Sequence, residues 1–335
     1  MIYDRQHGPR LMDHLGSVRE PFLFLISFDC SRWLVCRLND SGDVKYGFHE
    51  QSPVDETSSF HWEVSPPSFE QYHQAFDQVS SGLNRGETYL TNLTFRSKLH
   101  TDLTLSQIYE IANAPYKVHL PGEFTCFSPE SFVQIKDNLI SSFPMKGTIS
   151  ASIPNAKNVI LNDQKEMAEH STIVDLIRND LSRVAKGVHV KRWRYIDHIQ
   201  TAEDTLLQVS SEIQGRLDSG WQDQIGKLFT LMLPAGSISG APKRRTLEII
   251  QEAEEVDRGW YTGVCGIFDG KRLDSGVMIR LVAQDGPELY YHSGGGITAM
   301  SRVQSEFDEM IKKIYVPLHR NHPSQERHVS SSAFA

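Results

Sequence analysis

The last third of the chain leaves little topological freedom. Three apolar-rich runs, Trp260–Phe268, Asp274–Gln284 and Glu288–Ser293, are separated by the turn pairs Asp269-Gly270 and Asp285-Gly286. Asp-Gly suits tight hairpin turns, and strands joined this closely pair antiparallel, because a parallel crossover needs a dozen or more residues. Other β-rich runs are Phe22–Asp29, Arg32–Leu38, Thr88–Phe95, Phe132–Ile140, Val188–Gln200 and Leu206–Leu217. Helical spacing marks Phe69–Leu83, Leu105–Ala114, a long stretch over 162–185 capped by Asn162 or Asp163, Trp221–Leu231, Ala241–Glu255 opened by Pro242, and Gln304–Leu318. Residues 1–20 read as irregular, and a loop-like stretch is expected after Leu38 to about Pro67. Strands and helices are grouped rather than strictly alternating, so the expected class is α+β with largely antiparallel sheets.

Composition narrows the function. With 335 residues the chain has room for one large domain or two intimately packed ones. A net charge of −8 argues against nucleic acid as a partner, since phosphate binding needs concentrated basic surface. Small anionic ligands need only a few local cations. Cys30, Cys36, Cys126 and Cys265 form no close pair, so neither a zinc ribbon nor a disulfide framework is indicated. The longest apolar run, Phe22–Ile26, is too short to span a bilayer, and the first residues lack an apolar signal core. The expectation is a cytoplasmic protein with no membrane contact.

Several segments carry chemistry. Lys146 lies in Ser-Phe-Pro-Met-Lys-Gly-Thr, where Pro144 and Gly147 interrupt regular pairing and place the lysine at a strand end. A lysine becomes a nucleophile when its surroundings lower its pKa. Gly236-Ser-Ile-Ser-Gly-Ala-Pro-Lys243 precedes a helix, bringing backbone amides and hydroxyls to one spot fit for a carboxylate or phosphate. It is not a P-loop, because Ala-Pro separates Gly240 from Lys243. Ser293-Gly-Gly-Gly-Ile297 reads either as close backbone approach to a ligand or as a turn. Glu166 and Glu169 stand at i,i+3 on the long helix, and Glu306 and Glu309 repeat the spacing on the last one. Such pairs are solvated faces or, brought together from two helices, a hard-cation site. Glu309 and Lys313 at i,i+4 read as a surface pair. Arg280, set inside an apparent apolar strand Ser275–Val282, suits bidentate carboxylate recognition.

These segments together resemble the chorismate-utilising enzyme family, and within it the component I branch of the aminodeoxychorismate synthases. The resemblance rests on Phe127-Ser-Pro-Glu-Ser-Phe132, Pro144-Met-Lys-Gly-Thr148, Glu169–Asp180, Leu233–Lys243, Tyr261-Thr-Gly-Val-Cys-Gly266, Ile279-Arg280, Gly294–Ile297 and Glu306-Phe-Asp-Glu309, in order over roughly residues 85–315. It implies a two-layered α/β sandwich with large antiparallel sheets around one buried active site. By the same resemblance, Glu169 and Glu309 are Mg²⁺ ligands. Arg280, Lys313, Tyr261, the Ser237, Ser239 and Gly240 turn and the Gly294, Gly295 and Gly296 amides hold the substrate carboxylates. Glu130 is the acid near the departing hydroxyl, and Lys146 the nucleophile that ammonia later displaces.

Departures from the family pattern refine the expectation. Anthranilate synthases carry alanine at the Lys146 position. Gln208 stands where relatives often have a histidine linked to pyruvate elimination, and Leu90 where ammonia users have glutamine and isochorismate synthases a lysine base. The reading is therefore amination of chorismate to 4-amino-4-deoxychorismate, toward 4-aminobenzoate and folate. A separate glutamine amidotransferase subunit supplies the ammonia, since its nucleophile motif is not visible here. The alternatives are anthranilate synthase component I and a non-catalytic chorismate-binding protein. The expected division is a short β-rich segment over residues 1–60, a catalytic domain over 61–319 and a disordered tail over 320–335.

Overall fold

The computed structural model describes residues 1–50, 60–200, 205–318 and 328–329. The chain forms two compact units, each assembled from three separate stretches. The first comprises Met1–Gly42, Glu130–Ser237 and Thr262–Val277; the second comprises Asp43–Pro129, Ile238–Tyr261 and Met278–Ala335. The expected division at residue 60 ran along the chain, whereas these units interleave. The tail expected from residue 320 lies outside the described residues, apart from the short strand His328–Val329.

The first unit is built on one antiparallel sheet. Its order among the described residues is Ile2–Tyr3, Trp33–Arg37, Phe22–Ile26, Val264–Phe268, Leu273–Val277, Ser131–Lys136, Leu139–Ser142, Thr205–Arg216 and Met145–Ser150, with Lys186–Gln200 also paired to Thr205–Arg216. Phe22–Ile26 is apolar at every position and buried at every position, as expected of a strand covered on both faces. Helix Ile225–Met232 lays Phe229 edge-on against Phe24, 4.8 Å between ring centroids. Helix His7–Ser17 packs against that helix, and the Asp13 carboxylate accepts the Gly226 amide at 2.7 Å. Residues 1–20 are therefore not irregular. Gly8, Pro9 and Gly16 depress the intrinsic propensity of this helix, and burial of Met12 and Leu15 supplies what propensity lacks.

The second unit has its own sheet. Its order is His328–Val329, Trp62–Ser65, Leu90–Thr101, Glu288–Ile297, Leu281–Asp285, Phe124–Ser128, Tyr116–Leu120 and Lys45–Phe48, with Gly240–Ala241 added to Leu90–Thr101. All pairs are antiparallel except His328–Val329 with Trp62–Ser65. Two helices open with reciprocal capping boxes, Ser68 with Gln71 and Thr104 with Gln107. Tyr72, Val79, Leu93, Ile249, Phe307 and Met310 form one core cluster, and Trp62, Ile108, Phe127, Tyr291 and Val316 belong to another. The loop expected up to Pro67 contains the strands Lys45–Phe48 and Trp62–Ser65, with 51–59 outside the described residues. Among the described residues no helix is long and apolar enough to cross a membrane.

Fold class follows the expectation: α+β with large antiparallel sheets. Two apparent strands are each divided. Phe132–Ile140 turns at Asp137-Asn138, both at positive φ (52° and 59°), giving a hairpin of Ser131–Lys136 and Leu139–Ser142. Asp274–Gln284 breaks after Val277 into segments belonging to different sheets.

Close backbone approach fixes one position in the first sheet. A Cβ on Gly266 would lie 2.1 Å from the ring of Phe24, which is itself fully buried. Gly266→Ala is expected to destabilise the protein by about 1–3 kcal/mol through overpacking, read as a lower denaturation midpoint in urea. An unchanged midpoint would mean that Phe24 has room to move aside.

Candidate active site

In the first unit the site is assembled on the strand Met145–Ser150. It pairs with Thr205–Arg216 at Met145 with Ser210 and again at Thr148 with Gln208, so three steps on one strand match two on the other. The surplus residue makes a bulge at Lys146-Gly147, and Gly147 takes φ 88°, a conformation that L side chains rarely adopt. Lys146 is thus on a bulge inside a strand rather than at a simple strand end. From there its Nζ reaches 2.7 Å from Glu169 Oε2, and Lys165 Nζ lies 3.7 Å from the other oxygen. Glu169 is only 7 % exposed and Lys146 25 %.

The long helix that presents Glu169 runs Gln164–Ser182, and Asp163 caps it by accepting the Glu166 amide at 2.9 Å. His170, fully buried, hydrogen-bonds Ser211 of the Thr205–Arg216 strand at 2.7 Å, which fixes the helix against the sheet. One turn before it, Glu166 has a buried Oε2 with no hydrogen-bond partner. Burial raises the Glu166 pKa and Lys146 opposes that, while the neighbouring Glu169 charge adds to the rise. Glu166 was visible in the sequence only through its i,i+3 spacing with Glu169.

Glu130 and Ser237 also meet in this unit: the Ser237 hydroxyl donates to Glu130 Oε1 at 3.4 Å. The turn Gly236–Ser239 is a single helical turn, anchored where the Gly236 amide donates to Asp180 at 2.8 Å. Glu130, Ser142, Met145, Asp180 and Ser237 line a cavity of about 70 Å³.

The second unit holds the remaining residues. The strand Glu288–Ile297 does not end before its glycines. Gly294, Gly295 and Gly296 continue the ladder opposite Thr94, Leu93 and Asn92. Lys313, just past helix Val303–Lys312, donates from Nζ to the Gly294 carbonyl at 3.0 Å and pairs with Glu309 at 2.8 Å. This lysine is therefore tied to the glycine strand as well as to its helix neighbour, more than a surface pair. Glu306 is buried, with Oε2 3.9 Å from where a Gly295 Cβ would stand.

Arg280 lies between strands rather than within one, at φ 56°. Its guanidinium donates to the Lys313 carbonyl and covers the Tyr315 ring at 4.6 Å. A non-glycine residue in the left-handed region is held there by surrounding contacts, and such positions concentrate at functional sites. Gly240 pairs with Thr91 as part of a two-residue strand, and helix Lys243–Ala253 begins only after Pro242. Ser239 and Tyr261 are buried.

A buried ion pair that the sequence reading did not single out organises this unit. Arg258 donates to Glu254 through Nε (2.8 Å) and Nη2 (2.6 Å), and to the carbonyls of Ile238 and Asn92. Glu254 also accepts the amide and hydroxyl of Thr94. The i,i+4 spacing of Glu254 and Arg258 was the only sequence signal.

The expected metal ligands fall one in each unit, Glu169 in the first and Glu309 in the second. Among the described residues no three His, Cys, Asp or Glu side chains gather into a metal cluster. The donor chemistry nevertheless fits a hard cation. Oxygen-only carboxylate pairs and the unpartnered Glu166 oxygen suit Mg²⁺, which commonly takes one or two protein carboxylates plus waters and substrate oxygens.

With this geometry in view, the chain belongs to the chorismate binding enzyme family, whose model matches residues 32–319. It is 48% identical over 318 residues to an uncharacterized PabA-like protein of Haemophilus influenzae, covering 93% of this chain and 97% of that one. It is 30% identical over 344 residues to aminodeoxychorismate synthase component 1 of Bacillus subtilis, covering 90% of this chain and 71% of the relative. The menaquinone-specific isochorismate synthase of Escherichia coli shares the fold, with a TM-score of 0.70 at 14% identity over 93% of this chain and 82% of that one.

His292, opposite Arg96 in the second sheet, is buried with Nε2 unpartnered and its ring 5.1 Å from Tyr261. Burial, with repulsion from Arg96 and Arg258, pushes its pKa down to about 3. Between pH 6.5 and about 3 the unfolded chain binds a proton that the folded one refuses, so stability falls as pH falls. His292→Gln is expected to flatten that decline by up to about 1.4 kcal/mol per pH unit, measured by urea unfolding from pH 7 to 5. Parallel curves for variant and wild type would show that the folded protein takes up the His292 proton as readily as the unfolded chain does.

Proposed function

We propose that the protein is component I of an aminodeoxychorismate synthase, aminating chorismate to 4-amino-4-deoxychorismate with Mg²⁺ and with ammonia from a separate glutamine amidotransferase subunit. The observation that carries this reading is Lys146, held on a bulged strand against Glu169. A lysine placed there is a nucleophile that a chorismate binder would not need. Substrate charge agrees with the rest. Chorismate is a dianion, and Arg280 and Lys313 supply cations while the Gly294–Gly296 backbone and the Ser237–Gly240 turn supply neutral polar groups.

In the ion pair with Glu169, Lys146 is an ammonium, so attack requires that it give a proton to solvent and part from Glu169, and it takes a proton back once the cycle is complete. The free amine then forms a C–N bond to the ring while the ring hydroxyl takes a proton from Glu130 and leaves as water. Ammonia then forms a C–N bond to the ring as the lysine C–N bond breaks and the neutral lysine amine departs; the ammonium so formed returns a proton to Glu130, which regenerates the enzyme. Glu169 would hold Mg²⁺ in the first unit, and the metal when bound would supply positive charge to a substrate carboxylate and assist loss of the hydroxyl. Glu166, with its unpartnered oxygen, would add charge to the same site.

Product identity tests the reading. Incubation with chorismate, Mg²⁺ and ammonium should yield 4-amino-4-deoxychorismate by mass spectrometry, whereas anthranilate with released pyruvate would overturn it. Lys146→Ala should lower turnover by on the order of 100-fold or more, the scale for losing a positioned reactive group. Retention of wild-type rate and product by that variant would remove the covalent role. Glu169→Gln should raise the Mg²⁺ concentration needed for half-maximal activity by about 10- to 100-fold. An unchanged Mg²⁺ titration would place the metal elsewhere.

A further inference from the structure

We propose that Gln208 is a positioning residue for the lysine nucleophile, clamping the bulge that carries Lys146 so that the amine faces the reacting ring. The role in catalysis rests on the function proposed above; the clamp itself rests on geometry. A bulge disrupts the local ladder, and a side chain can supply the hydrogen bonds that strand pairing does not. Gln208 does this: its Nε2 donates to the Gly147 carbonyl at 2.8 Å, and its Oε1 accepts the Thr148 hydroxyl at 2.8 Å. On the other side of Lys146, the Ser211 amide donates to the Pro144 carbonyl at 3.0 Å. Lys146 is therefore held between two fixed points, both on the strand Thr205–Arg216.

The carboxamide has little left to offer the reaction. Its second Nε2 contact is the Val209 carbonyl at 3.4 Å, and the side chain is buried. A carboxamide does not ionise near neutral pH, so Gln208 acts through the lysine's placement and not as an acid or base. Attack geometry is sensitive to displacement, and a shift of about 1 Å can cost about 100-fold in rate. A loosened bulge would let the Lys146 side chain wander while leaving the binding groups elsewhere untouched.

The test compares wild type with Gln208→Met, which keeps the volume but removes both bonds, and with Thr148→Val, which removes one. In Gln208→Met, kcat should fall about 10- to 100-fold while KM for chorismate stays within about twofold. Thr148→Val should fall between this variant and wild type. A second readout does not need turnover. Brief acetylation without chorismate, quantified by peptide mass spectrometry, gives the labelling of Lys146 relative to the exposed Lys227, and Gln208→Met should change that ratio while its circular dichroism stays native. The proposal is overturned if kcat is unchanged, if the loss is explained by the unfolded fraction, or if KM rises with kcat intact, which would make Gln208 a substrate contact. Should Gln208→Met not fold, Thr148→Val decides by the same two readouts. If wild type makes no amination product, the proposed function fails, while the labelling ratio still judges the clamp.

Discussion

In the first unit, the register of the strand Thr205–Arg216 governs the chemistry. It pairs with Leu139–Ser142, Met145–Ser150 and Lys186–Gln200, and its side chains reach further than its ladder. Gln208 grips the bulge, Ser211 meets His170 of the long helix, and Glu212 accepts Lys191 and Arg192. The ion pair of Lys146 with Glu169 joins a strand residue to a helix residue, and both are referenced to this one strand. A slip of one residue would exchange its two faces, removing all three anchors together.

The second unit relies on a different device. Glu254 and Arg258 are nearly inaccessible, with 5% and 2% side-chain exposure, and the pair is hydrogen-bonded to Thr94 and to the Ile238 and Asn92 carbonyls. A buried pair seldom adds much net stability over well-packed apolar side chains, yet losing one partner strands a charge and costs about 3–5 kcal/mol. Its value here is geometric. Arg258 fixes the Ile238 carbonyl, in the turn with Ser239 and Gly240, relative to the strand that faces the glycine triplet.

Local signals in the sequence reached the elements they control. Asp163 caps the long helix, the Asp269-Gly270 turn joins Val264–Phe268 to Leu273–Val277, and Asp285-Gly286 joins Leu281–Asp285 to Glu288–Ile297. Signals that depend on partners did not. Helix His7–Ser17 contains two glycines and a proline, and is held by packing that no local pattern records. Asp137-Asn138 is a turn pair in an otherwise apolar run, and was absorbed into one long strand. Arg280 read as a strand residue because the apolar pattern continues across the break, although its neighbours on either side enter different sheets. The resemblance named Lys146, Glu169, Glu309 and Lys313, but the bulge, the Lys313 tie to Gly294 and the role of Gln208 arise from contacts between residues far apart in sequence.

The interleaving of the two units has a consequence for how the protein comes into being. During synthesis, the first unit lacks Val264–Phe268 and Leu273–Val277, the middle of its sheet, until well over two hundred residues have been made. The second unit likewise lacks Glu288–Ile297, the main partner of its longest strand, until nearly two hundred residues after that strand. Neither sheet can close early, and contacts of such long sequence separation slow folding and prolong exposure of unpaired strand edges. Nor can trimming either end isolate one unit intact, because every cut that shortens one also removes a strand or helix from the weave. Each unit therefore waits on a strand supplied long after its first one.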